Sequence, residues 1–101
     1  MQLERIPWTG PGAPEEGLLR ARLAQDGYEV FCWSDRAGAD YRAHSHDHDE
    51  SIGVVEGEIT FGAAGREWRL GPGDRLMLPA RTVHTARAGT RGATYLIGET
   101  R

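Results

Sequence analysis

The chain of 101 residues has no lysine, one cysteine and no long apolar run. Its twelve cationic residues are all arginines, spread along a chain whose formal net charge is −3. Because nucleic-acid binding needs positive charge gathered on one face, we expect no nucleic-acid partner. A single cysteine excludes an intrachain disulfide and a cysteine-based metal cluster. The apolar, strand-like surroundings of Cys32 predict a buried structural thiol.

No segment approaches the roughly 18 apolar residues that a membrane-spanning helix requires. The N-terminus also lacks the charged and then apolar segments that are typical of a signal peptide. We therefore expect no membrane partner and a cytoplasmic location. A chain of this length can bury one modest core, which predicts a single domain.

The first residues of the chain differ in composition from the rest. Residues 1–14 are rich in proline and glycine and predict an irregular arm, which Ile6 and Trp8 could attach to the domain or to a second subunit. Residues 15–101 are predicted to form the single domain. It begins with a short helix over 15–25, since acidic residues stand in its first turn and Gly27 follows its end.

From Tyr28 onward, short runs rich in β-branched and aromatic residues alternate with glycine, proline and aspartate, as in an all-β sandwich or barrel. The predicted strands cover about 28–34, 40–46, 50–56, 58–62, 66–70, 75–78, 83–88 and 93–98. Eight short antiparallel strands can close on themselves and remove their exposed edges. The interior of such a barrel holds side chains and one small ligand.

The four histidines lie in two places, three of them within residues 44–48 and the fourth at His84. His44 and His46 are two apart on a predicted strand, so their side chains point to one face. Glu50 follows at the start of the next strand. Imidazoles and a carboxylate on one face are the ligands that a divalent transition metal requires. The alternative is an exposed, histidine-rich hairpin without a ligand.

The spacing of these residues carries a family resemblance. Gly38-x5-His44-x-His46-x3-Glu50-x6-Gly57 reproduces the first motif of the cupin superfamily, and Gly73-x5-Pro79 followed by His84 resembles the second. The chain is therefore similar, over about residues 28–98, to the small single-domain cupins of the "cupin 2" type. Two positions of the second motif depart from the family, which usually has glycine at Arg81 and often asparagine at Ala88.

The resemblance implies a jelly-roll antiparallel β-barrel, here with one short N-terminal helix. It also implies one divalent metal ion, which would be manganese, iron, nickel, copper or zinc. The ion would be held by His44, His46, Glu50 and His84. Because small barrels of this kind have surface to bury, and two-fold dimers are the commonest assembly, we also expect a homodimer.

Three further residues flank the predicted ligands. His48 shares strand parity with His44 and His46, but the motif places a turn there, so it could be a ligand, a general base or an exposed residue. Arg42 shares parity with His44 and could clamp a carboxylate substrate from inside, and Arg81 could do so from the rim. For both arginines the alternative is that the aliphatic part of the side chain packs on the protein surface while the guanidinium group stays in water.

Two classes of function remain open. The resemblance implies a metalloenzyme of the dioxygenase, decarboxylase or isomerase type that acts on a small oxygenated substrate. Glu50 or His48 would then serve as a base. The same fold would also serve as a non-catalytic module that senses a small molecule or a metal.

Overall fold

The computed structural model describes residues 1–100 as antiparallel β-structure with one helix. Its elements are β1 (Glu4–Ile6), α1 (Glu16–Gln25), β2 (Tyr28–Asp35), β3 (Asp40–His44), β4 (Glu50–Ala63), β5 (Arg66–Leu70), β6 (Arg75–Leu78) and β7 (His84–Thr100). Within the described residues, no helix has the length and apolar character needed to cross a membrane.

The two long strands, β4 and β7, each replace two of the predicted short strands. Residues 50–53 of β4 pair with β6, whereas residues 59–63 pair with β5. Residues 93–100 of β7 likewise pair with β2, and its first residues pair with β3. Register shifts lie between these halves of β4, at 54–56 and 57–59. Both strands therefore pass from one layer of the fold into the other.

The result is a jelly-roll sandwich, so the predicted all-β fold is confirmed. Its layers are β1-β6-β4-β7-β2 and β5-β4-β7-β3. The prediction that the strands close into a barrel is wrong, because the hydrogen-bonded path ends at β1 on one side and at β2 on the other. Closure would need a partner for each of these edges, and the two long strands instead bend between layers.

The core between the layers is apolar and continuous. Its buried members are Ile52, Val54, Ile59, Phe61, Leu70, Leu76, Ala86, Ala88, Ala93 and Tyr95. A second cluster lies under α1, where Leu19 and Leu23 pack on Tyr28 and Leu96. The predicted helix is thus confirmed in position, and it covers the outer face of one layer.

The N-terminal segment, predicted to be irregular, contains strand β1, which pairs antiparallel with β6. Beyond it, the backbone N–H groups of Trp8 and Gly71 donate to the two Asp74 oxygens at 2.8 and 2.9 Å. Burial alone would raise the pKa of Asp74, but these hydrogen bonds and the charge of Arg5 lower it overall. The ionised Asp74 carboxylate therefore fastens the segment to the turn before β6.

Cys32 lies on β2 and is exposed, so the prediction of a buried thiol is wrong. Strand β2 has a hydrogen-bonded neighbour on one side only. Of its residues, only Tyr28 and Val30 pack against the cluster under α1. Its middle, including Phe31 and Trp33, therefore remains exposed.

Candidate metal centre

Three histidines converge between the two layers. His44 ends β3 and stands directly opposite His84 at the start of β7, and their ring centroids are 4.3 Å apart. The ring of His46 lies 5.0 Å from that of His44 and 5.4 Å from that of His84. Since β3 ends at His44, a loop brings His46 inward, not the strand alternation used to predict it. The Arg81 N–H fixes this loop by donating to the His46 carbonyl.

Glu50, the first residue of β4, brings a carboxylate to the same place. Its side chain is 9% exposed, and Oε1 lies 3.8 Å from His46 Nε2. One nitrogen from each of His44, His46 and His84 lies within 4.8 Å of the others. All four residues line one cavity. The four side chains that the motifs predict as ligands therefore line one cavity, in which Glu50 is grouped with His46 and His48 and not with His44 and His84.

The hydrogen bonds of two imidazoles fit a metal ion. His44 Nδ1 lies 2.6 Å from the Arg42 carbonyl oxygen, and His84 Nδ1 lies 2.9 Å from that of Thr82. Because a carbonyl only accepts, each Nδ1 carries the hydrogen and each Nε2 keeps its lone pair for a metal. Burial, followed by the neighbouring His44 and His46, lowers the pKa of His84, which favours the neutral form that binds metal.

His48 lies beside Glu50, next to the three converging histidines. Its Nε2 is 3.2 Å from Glu50 Oε2 and 3.6 Å from Glu99 Oε2. Burial lowers the pKa of His48, but hydrogen bonds to Asp47 and Glu50 and the nearby charges outweigh it, so the net shift is upward. Sequence reasoning missed Glu99, although Tyr95, Ile97 and Glu99 alternate along β7 and face one cavity.

The cavity has a volume of about 310 Å³ and largely aromatic walls, formed by Trp33, Tyr41, Phe61 and Tyr95. The hydroxyls of Tyr41 and Tyr95 both donate to Asp35, at 2.5 and 2.6 Å. Trp33 Nε1 donates to the same carboxylate at 3.0 Å. The Asp35 carboxylate therefore accepts hydrogen bonds from three residues of the cavity wall. The sequence analysis did not identify Asp35 as part of the site.

Neither predicted substrate-binding arginine reaches this cavity. A β-bulge between Tyr41 and His44 adds one residue to β3, so Tyr41, and not Arg42, shares the face of His44. Arg42 instead lines an outer cleft with Glu67 and Arg87. Arg81 is exposed and does not line the cavity. The prediction that Arg42 and His44 face the same side was wrong, because the bulge between them reverses the alternation of side chains along β3.

Arg81 occupies the left-handed backbone region, with φ of 64°. Such a conformation costs a residue with a Cβ about 1–3 kcal/mol. We expect Arg81→Gly to raise the free energy of unfolding by about 1 kcal/mol, because glycine's extra freedom in the unfolded chain offsets part of the relief. For a domain of this size, that gain corresponds to a Tm increase of roughly 4–8 °C in calorimetry. Arg81→Ala keeps the strain and should show no gain; an equal rise in both variants would contradict the backbone explanation.

A jelly-roll sandwich with three imidazoles and a buried glutamate between its layers defines a small β-protein with a candidate metal centre. Residues 33–97 match the family model for the cupin domain. The chain belongs to the cupin family.

Comparison with individual proteins agrees with this family. Quercetin 2,3-dioxygenase of Bacillus subtilis (strain 168) is 44% identical over 72 residues, which are 69% of this chain and 21% of that enzyme. The structure of KdgF from Halomonas sp. is similar with a TM-score of 0.62 and 30% identity, covering 71% of this chain and 68% of that one. A cupin-2 domain protein from Shewanella frigidimarina has a TM-score of 0.64 at 21% identity, covering 75% and 72%, and shows the fold alone.

Proposed function

We propose that this chain is a metal-dependent cupin that binds one divalent transition metal ion through His44, His46, His84 and Glu50. The observation that carries the proposal is the convergence of three imidazoles and a buried carboxylate, with Nε2 of His44 and His84 left free. This donor set fits manganese, iron, nickel, copper or zinc. A bound ion of this kind would supply a Lewis acid or activate dioxygen.

The cavity walls favour a small, uncharged, oxygen-bearing aromatic substrate. Trp33, Tyr41, Phe61 and Tyr95 offer ring faces to a flat ligand. Apart from the histidines, the ionisable side chains that line the cavity are the carboxylates of Glu50 and Glu99 and the two tyrosine phenols. Among residues 1–100 no arginine lines the cavity, so a carboxylate substrate would find no guanidinium to pair with beside these two acids. The volume of about 310 Å³ suits a single-ring compound, at the low end of ligand sites.

The aromatic and the polar side chains of the cavity would have different roles. The aromatic walls would orient the ring and exclude water from its faces. Glu50 Oε2, which lies 3.2 Å from His48 Nε2, would accept a proton from a substrate hydroxyl, and the His48 imidazole would hold this carboxylate in place. The likeness to a protein named quercetin 2,3-dioxygenase supports an oxygenase.

Oxygen uptake by the metal-loaded protein tests this proposal. The metal in the purified protein is first identified by emission spectroscopy. Catechol and methylcatechol are then compared with benzoate and hydroxybenzoates of similar size. We expect faster turnover of the uncharged compounds than of the carboxylates. A preference for carboxylates would contradict the substrate class, whereas thermal stabilisation by catechols without turnover would favour the sensor function. The homodimer and the cytoplasmic location stay predictions.

A further inference from the structure

We propose that Asp35 is a positioning residue, which holds three aromatic side chains of the cavity wall where a flat substrate needs them. The inference rests on the proposed function, because it concerns the same cavity and the same class of ligand. Asp35 does not line that cavity itself. It contacts the polar ends of three rings that do, and so it would act on the substrate through them.

No backbone ladder joins β2 to β3 within the described residues, although these two strands follow each other in the chain. Each of them pairs with β7 alone, β2 along residues 93–100 and β3 along residues 84–87. Side chains must therefore close this side of the cavity. Trp33 of β2 and Tyr41 of β3 meet there, since Trp33 Nε1 lies 3.2 Å from the Tyr41 hydroxyl oxygen.

The Asp35 carboxylate ties this closure together. Its Oδ1 accepts from the Tyr41 hydroxyl at 2.5 Å and from Trp33 Nε1 at 3.0 Å, and its Oδ2 accepts from the Tyr95 hydroxyl at 2.6 Å. One side chain thus connects β2, β3 and β7. Hydrogen bonds to an ionised acceptor are roughly twice as strong as those between neutral groups. Removal of the carboxylate would therefore free three rings at once.

The two phenols are suited to this role. Burial, followed by the hydrogen bond to Asp35, raises the pKa of Tyr95. For Tyr41 the hydrogen bond to Asp35 is the larger cause and burial the second, and the pKa is again raised. Both side chains therefore keep their hydrogens and donate them to the carboxylate.

Ring position matters because aromatic contacts depend on geometry. Aromatic pairs favour offset-stacked or edge-to-face arrangements with ring centroids about 4.5–7 Å apart. A wall that is free to rotate loses these arrangements, whereas hydrogen bonds and shape contacts that do not involve the rings persist. Loss of Asp35 should therefore weaken the binding of a flat aromatic ligand more than that of a saturated ligand of similar size.

The ratio of two affinities tests this role. Catechol is compared with its saturated analogue, the cyclohexane diol with hydroxyls on neighbouring carbons. Calorimetry on the zinc-loaded protein gives both dissociation constants, because zinc has no redox chemistry and leaves the ligands intact. We expect Asp35→Ala to reduce the preference for catechol about tenfold, since each aromatic pair contributes a factor of roughly 2–10. The control Asp40→Ala removes an exposed carboxylate of β3 that does not line the cavity, and it should keep the preference.

The indole N–H resonances of the three tryptophans show whether the rings have been released. Trp8 and Trp68 donate from Nε1 to backbone carbonyls away from Asp35. In Asp35→Ala the Trp33 resonance should therefore move upfield while the other two stay in place, which also shows that the fold is intact. Asp35→Asn keeps one acceptor oxygen but turns an N–H toward Tyr95, and it should lose a smaller part of the preference. If Asp35→Ala does not fold, Asp35→Asn decides.

The other outcomes separate this inference from the proposed function. An equal loss of affinity for both ligands, or an unchanged ratio, would overturn the positioning role. No binding of catechol to the unsubstituted protein would overturn both this role and the substrate class. Bound catechol without oxygen uptake would overturn the oxygenase alone, because the ratio needs no turnover. If no zinc binds, the metal centre is wrong, and the same ratio is measured on the metal-free protein.

Discussion

Replacing His46 with alanine should abolish metal binding, the largest functional effect expected from a single substitution. His46 belongs to both groups of potential ligand atoms, with His44 and His84 on one side and with His48 and Glu50 on the other. Loss of a residue that only supports a ligand weakens metal binding by about 10–100-fold. Removal of a ligand itself should exceed that range. Chelator competition and metal content after dialysis measure the effect.

Two controls accompany this variant. Arg42→Ala removes an exposed side chain outside the cavity and should leave metal content unchanged. In the absence of metal, His46→Ala should melt close to the unsubstituted metal-free protein, since His46 is only partly buried. Metal should then stabilise the unsubstituted protein alone, because a ligand that binds the folded state raises its stability. Full metal occupancy in His46→Ala would refute the site.

The central part of this site could be predicted from the sequence because its determinants are local. His44, His46 and Glu50 lie within seven residues, at the end of β3, in the following loop and at the start of β4. Their proximity therefore depends little on contacts that are distant in the sequence. His84 depends on a longer connection, but the turn after Pro79 and the pairing of His44 with His84 fix it. The convergence therefore needed few assumptions about tertiary structure.

Other features depend on register, which the sequence does not display. One added residue in β3 turned Arg42 out of the cavity and Tyr41 into it. Glu99 meets Glu50 only through the pairing of β4 with β7, two segments almost fifty residues apart. The predicted strands 50–56 and 58–62 are separated at Gly57, yet Gly57 lies within continuous β4. In each case hydrogen-bond partners distant in the sequence decided the outcome.

Gly57 lies between the two register shifts of β4, and we expect Gly57→Ala to be strongly destabilising. Its φ is 76°, and a Cβ built there would lie 2.2 Å from the Gly92 carbonyl oxygen. The backbone strain alone costs about 1–3 kcal/mol. The clash is with backbone of β7, which cannot rotate away as a side chain can. We therefore expect a total loss of about 3 kcal/mol or more, measured by urea unfolding.

Gly65→Ala is the matched control for this prediction. Gly65 has a nearly equal φ of 75°, but a Cβ there would meet nothing within 4 Å. It should therefore lose only the strain, about 1–3 kcal/mol. Equal losses in the two variants would show that positive φ alone decides and that the close approach to Gly92 adds nothing. A larger loss at Gly57 would show that the close approach of its backbone to Gly92 of β7 adds to the cost of the positive φ.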